Sequence, residues 1–198
     1  MPIKPKSSAN EIYQIKITLL GTEPPIWRRL LVPSDLTLAK LHDVLQVAMG
    51  WDDSHMHEFR AGRQTYGAPD PQAGTFDMQD RIDERKVRLH DVLGRIGAKA
   101  VYTYDFGDDW EHGIVLEKRL PADPKMAYPA CTGGQGACPP EDCGGIGGFY
   151  DLLDAIQNPD HDRHEELLDW LGEDYDPEVF SIETVNGILH RRRRRMGS

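Results

Sequence analysis

His55 and His57 stand one residue apart in SHMHEF, so on an extended strand both imidazoles project to the same side. Two histidines with carboxylates in reach form a common ligand set for zinc or another divalent cation. The stretch YTYDFGDDWEHGIVLE, residues 102–117, offers Asp105, Asp108 and His112 as the remaining groups. A metal on His55, His57, His112 and Asp105 would activate a bound water, which is the chemistry of a hydrolase. The same imidazoles hydrogen-bonded in a core or an interface need no metal, and His-x-His alone does not separate the two.

Other motifs fail on their context. Asp105-Phe106-Gly107 has the letters of a kinase magnesium loop, but no glycine-rich loop, strand lysine or catalytic Asp-Asn pair precedes it. Cys131, Cys138 and Cys143 contain no Cys-x-x-Cys pair and read as reduced thiols packed in a loop. GGIGG at residues 144–148 lacks the preceding strand and the following Lys-Ser/Thr of a phosphate loop, and Glu141 and Asp142 would repel phosphate. HDRHE has its letters in the wrong order for a zinc protease.

The elements that must position these groups are partly legible. IYQIKITLL alternates, with Tyr13, Ile15, Ile17 and Leu19 on one face, and IWRRLLV sets Ile26, Arg28, Leu30 and Val32 opposite Trp27, Arg29 and Leu31. The short GTEPP connection makes these two strands a hairpin. LTLAKLHDVLQVAMGW then has helical spacing, with Asp35 or Thr37 as its cap and Gly50 as its stop. SHMHEFRA reads as a strand, and residues 62–80 as a long loop. LHDVL recurs at Leu41 and at Leu89, which suggests two helix-then-strand units.

In the 102–117 stretch a three-residue loop, Gly107-Asp108-Asp109, pairs Phe106 with Trp110, Tyr104 with His112 and Tyr102 with Ile114. That register opposes Asp105 to Glu111, a like-charge pair that a cation would relieve. Residues 120–148 are punctuated by Pro and Gly and read as irregular. GFYDLLDAIQN, DRHEELLDWLG and SIETVNGILHRR then read as helices. The expected fold is α+β: an antiparallel sheet built from hairpins, a helix after the second strand, and a helical C-terminal part packed on the sheet.

Composition bounds the class. A chain of 198 residues with 39% apolar residues can bury one core, and the expected division is a disordered 1–10, one domain at 11–190 and a basic mobile tail at 191–198. No run of about 18 apolar residues spans a membrane, and the N-terminus has no secretory pattern. Three cysteines point to a reducing, cytoplasmic compartment. A net charge of -10 excludes a surface that is basic overall, although Arg191 to Arg195 form a basic block.

Three segments, PPIWRRLLVPSDLTLAKLHDVLQVAMGWDDSHMHEF, YTYDFGDDWEHGIVLE and ACPPEDCGGIGGFYDLL, together resemble the plasmid ORF-three-like family, named after the third open reading frame of a root-inducing plasmid. The resemblance runs from about Ile12 to Leu189 and implies an α+β fold with no established activity. Without a complete catalytic constellation, the expected function is a non-catalytic binding or accessory module. Its groove would be lined by Trp27, Arg28, Arg29, Trp51, His55, His57, Tyr104, Asp105, Asp108, Trp110 and His112, and its partner would be a protein segment or nucleic acid. No cofactor and no small-molecule substrate is expected on this reading. The alternative is the metal-dependent hydrolase, with zinc or another divalent cation.

Overall fold

The structure is a computed structural model that describes residues 11–69, 81–172 and 175–196, the last four of these by backbone alone. β1 (Glu11–Leu19) and β2 (Trp27–Pro33) pair antiparallel with Ile15 opposite Leu30 and Ile17 opposite Arg28. Their alternation is what separates the two faces: Tyr13, Ile15, Ile17, Leu30 and Val32 are buried, while Gln14, Lys16, Trp27 and Arg29 face outward. α1 (Leu38–Met49) starts at Thr37, whose side chain accepts from Lys40 N, and ends at Gly50 with φ 101°. That left-handed stop carries no Cβ penalty at glycine. Leu38, Leu41 and Leu45 of α1 join the core formed by the inner sheet face.

β3 (His57–Ala61), β4 (Gln64–Gly67) and the two-residue β5 (Ile82–Asp83) extend the sheet on one side. A 3-10 turn (Glu84–Lys86) and the one-turn α2 (Leu89–Val92) follow, then β6 (Lys99–Tyr104) and the long β7 (Trp110–Pro121). β8 (Ala130–Gln135) forms the other edge, giving the order β5-β4-β3-β6-β7-β1-β2-β8. All neighbours are antiparallel except β4 and β5. The C-terminal helices are α3 (Gly145–Gln157), α4 (His164–Leu171) and α5 (Ile182–Met196). α5 packs on β8 and α1, where Asn186 accepts from Cys131 N at 2.7 Å and donates to Cys131 O at 2.9 Å. The α+β expectation holds. Among the described residues no helix is long and apolar enough to cross a membrane.

Four local expectations are corrected. The hairpin exists, but Tyr102 pairs with His112 and Tyr104 with Trp110, so the connection is the five residues 105–109. Glu111 therefore faces Thr103 rather than Asp105. β8 occupies part of the segment read as irregular. Its glycines hide the strand signal because aromatic rings take the side-chain space: a Cβ on Gly133 would lie 3.3 Å from Trp27, and one on Gly134 only 2.3 Å from Phe180. β4 occupies part of the stretch read as a long loop, whereas the second LHDVL does open a helix-then-strand unit, the one-turn α2 and then β6. Helical backbone also continues through Arg191–Met196, where a tail outside the last helix was expected. The expected disorder of residues 1–10 and most of the expected loop, 70–80, lie outside the described residues.

Candidate functional site

Three loops meet above the inner face of the sheet: residues 51–56 after α1, 105–109 between β6 and β7, and 138–144 before α3. Asp53, Asp105, Asp109 and Asp142 lie in these loops with φ between 55° and 59°. Aspartate tolerates this left-handed region better than most residues because its short carboxylate bonds nearby backbone. Asp105 does so, accepting from Gly107 N at 2.8 Å. The 105–109 turn docks on the start of α3, where Asp108 accepts from Gly144 N at 3.1 Å. Gly145 is required there, since a Cβ would lie 2.5 Å from Asp108 O. The GGIGG motif is thus the seat of the turn.

Tyr104 organises the centre. Its buried hydroxyl accepts from Ser54 N at 3.0 Å and donates to Glu141 at 3.1 Å. Glu141 in turn accepts from Asp52 N at 2.9 Å and from Ser54 Oγ at 3.3 Å. Trp51 stacks on Tyr104 at 4.8 Å between centroids and donates to Pro139 O at 3.1 Å. These contacts hold His55 against three carboxylates. Its Nε2 lies 3.1 Å from Asp142 Oδ1, 3.5 Å from Glu141 Oε2 and 3.6 Å from Asp105 Oδ2. Yet Nε2 is sealed from solvent and makes no aligned hydrogen bond.

A second cluster lies beside it, on a cavity of about 430 Å³ lined by His42, Asp53, His57, Arg81 and Glu84 among others, which of the first cluster only His55 borders. His57, on β3, stacks parallel on His42 of α1 at 3.5 Å. His42 Nε2 meets Asp53 Oδ1 at 2.8 Å, and Nδ1 meets the Tyr102 hydroxyl at 2.8 Å. Asp53 can only accept when ionised, so Nε2 carries the proton and Tyr102 donates to Nδ1. Gln46 completes the chain by donating to the Tyr102 oxygen at 2.9 Å. Burial, and then the neighbouring His57, hold the His42 pKa below its ordinary value. His57 Nε2 lies 3.0 Å from the buried Glu84 Oε2, which leaves Nδ1 without a hydrogen bond among the described residues.

The expected groove and the expected metal set are not what these residues form. His55 and His57 do not share one strand side, because β3 begins at His57 and His55 belongs to the loop before it. His57 is drawn to Glu84, and only His55 and Asp105 of the four expected ligands converge. His112 is wholly buried, with Nδ1 3.2 Å from Tyr102 O, and burial pushes its pKa down to about 4. Trp51, Tyr104 and Trp110 are core, and Arg28 is buried as well. Trp27 and Arg29 sit on the opposite face, where Arg29 pairs with Glu117 at 2.7 Å. Asp108 seats α3. Glu141, Asp142, His42, Asp53 and Glu84 complete the two clusters and were not singled out as site residues. Only the run of acids around His55 and before the glycines hinted at them.

A family model described as plasmid pRiA4b ORF-3-like protein matches residues 11–184. An uncharacterized protein of Sinorhizobium fredii (strain NBRC 101917 / NGR234) is 41% identical over 177 residues, which cover 88% of this chain and 89% of the relative. A crystal structure of a protein of unknown function from Methanosarcina mazei Go1 is similar with a TM-score of 0.80 and 35% identity, covering 89% of this chain and 98% of that one.

Proposed function

The chain belongs to the plasmid pRiA4b ORF-3-like protein family, and from that premise we propose that it is a cation-binding module, with His55, Asp105 and Asp142 holding one divalent ion and Glu141 beside them. The observation that carries this reading is the sealed, unpartnered His55 Nε2 beside three carboxylate oxygens at 3.1 to 3.6 Å. Ligand atoms of His55, Asp105 and Asp142 all lie within 4.8 Å of one another, close enough to draw in around one ion. One nitrogen and two oxygens suit zinc or manganese better than a thiolate-seeking metal. The ion would also offset the mutual repulsion of Asp105, Glu141 and Asp142.

Metal analysis of protein purified without added metal, followed by titration with zinc and manganese, tests this. His55→Ala and Asp105→Asn should each lower cation affinity at least about tenfold. Chelator should lower the melting temperature of the wild type and leave that of His55→Ala unchanged. Absence of binding at millimolar cation, or wild-type affinity in both variants, would refute the site.

A second reading, a metal-dependent hydrolase, is favoured by the His57–Glu84 pair, which lines a cavity that His55 also borders. A carboxylate on Nε2 fixes the tautomer that leaves Nδ1 as a base, and a bound cation would supply Lewis acidity and a more acidic water. This reading expects cation-dependent hydrolysis of activated esters or phosphoesters. It expects Glu84→Gln to reduce that rate while cation affinity is retained, and a wild-type rate in Glu84→Gln would sink it.

A further inference from the structure

β2 places one full charge in a row of core side chains, Ile26, Arg28, Leu30 and Val32. Arg28 is only 2% exposed. Three of its five N–H groups are used by backbone carbonyls. Nε donates to Ala48 O at 2.7 Å, and Nη1 donates to Trp27 O and Gln135 O at 2.9 Å each. Phe180 covers the guanidinium at 3.9 Å, in the space that Gly134 leaves by having no side chain. Nη2 makes no hydrogen bond, and no carboxylate pairs with Arg28, among the described residues. Nη2 is not one of the sealed unpartnered atoms, which are Ser34 Oγ, His55 Nε2 and His112 Nε2. It therefore faces open volume.

That volume is a cavity of about 290 Å³, bounded by Arg28, Val47, Met49, Cys138, Val185 and Ile188 and opening past Ser181 and Thr184. Val179 stands at its mouth, 61% exposed. A buried cation without a counter-ion is strongly unfavourable, and burial lowers the Arg28 pKa for the same reason. Among the described residues the acidic groups that act on Arg28 are the thiols Cys138 and Cys131, and burial holds both of these in the neutral form. No described residue offsets this charge, and an anion from outside can. The free Nη2 group suits a carboxylate monoanion held by a charge-assisted hydrogen bond to one oxygen, and a phosphate dianion would want more donors than this single nitrogen provides. The walls beyond the guanidinium are mostly apolar, with Ser181 and Thr184 as exceptions, and the cavity is at the small end for ligand sites.

We propose that this cavity binds a small monocarboxylate with an aliphatic or aromatic tail, the carboxylate on Arg28 Nη2 and the tail against Val185 and Ile188. The site is independent of the cation cluster. Calorimetric titration with hexanoate and phenylacetate, each beside its neutral amide at constant ionic strength, provides the test. The carboxylates should bind and raise the melting temperature, and the amides should bind at least about tenfold more weakly, the loss expected for a charge-assisted hydrogen bond. Thr184→Trp, which fills the mouth and leaves Arg28 in place, should abolish carboxylate binding without changing cation affinity. Arg28→Lys should weaken it, provided that the variant still folds. Equal binding of acids and amides, unchanged binding to Thr184→Trp, or no binding of either probe at millimolar concentration would overturn the proposal.

Discussion

Replacing Trp110 by alanine destabilises the fold by about 3–5 kcal/mol, the usual cost of truncating a large core aromatic. Trp110 is 1% exposed, begins β7 opposite Tyr104, and lies 6.1 Å from Trp51 between ring centroids. Its removal leaves a void under the side chains that hold the three site loops. The loss is read from the urea midpoint. Trp110→Phe, which keeps part of the ring contact, should lose clearly less. A Trp110→Ala protein of wild-type stability would mean that the inner sheet face is not packed as described.

The second large effect is expected from pH. Burial pushes the His112 pKa from the ordinary 6.5 down to about 4, and the nearby Arg28 contributes in the same direction. The folded-state value is depressed, so the unfolded chain takes up this proton first. The stability associated with His112 is complete above pH 6.5, declines as pH falls, and is fully lost below about pH 4. A shift of this size corresponds to about 3 kcal/mol. His42, also depressed by burial, adds to the loss, while Asp43, raised by burial, works against it. Urea unfolding at pH 7, 5 and 4 measures the slope. His112→Gln should flatten it, and an unchanged slope in that variant would remove His112 from the account.

Elements with one clean period were legible in the sequence. β1 alternates over most of its length and β2 over its first half, and α1 carries a cap, an apolar stripe and a glycine stop. The hairpin was legible as a hairpin, but its register was not. Its turn uses left-handed aspartates, Asp105 and Asp109, in place of the glycines that normally announce such a turn. β8 was hidden because Gly133 and Gly134 yield their side-chain space to Trp27 and Phe180. For the site, His55 and Asp105 were found and Glu141 and Asp142 were not, since the latter were read only as charges that repel phosphate. The cluster is closed by loops some 35 to 90 residues apart in sequence, and no local spacing encodes such a meeting. His57 went astray for a related reason: its partner Glu84 lies 27 residues on, in a 3-10 turn.

The Asn186 amide bears on how the protein behaves at high concentration. A terminal strand exposes unsatisfied donors and acceptors that can template growth by another chain. Asn186 accepts from Cys131 N–H and donates to its carbonyl, the same pair of bonds a ninth strand would make at that point, and α5 lies along β8 behind it. The opposite border is kept to two residues at β5, too short to nucleate an extended ladder. An open eight-stranded sheet thus finishes at both sides in ways that discourage fibrous or domain-swapped assembly.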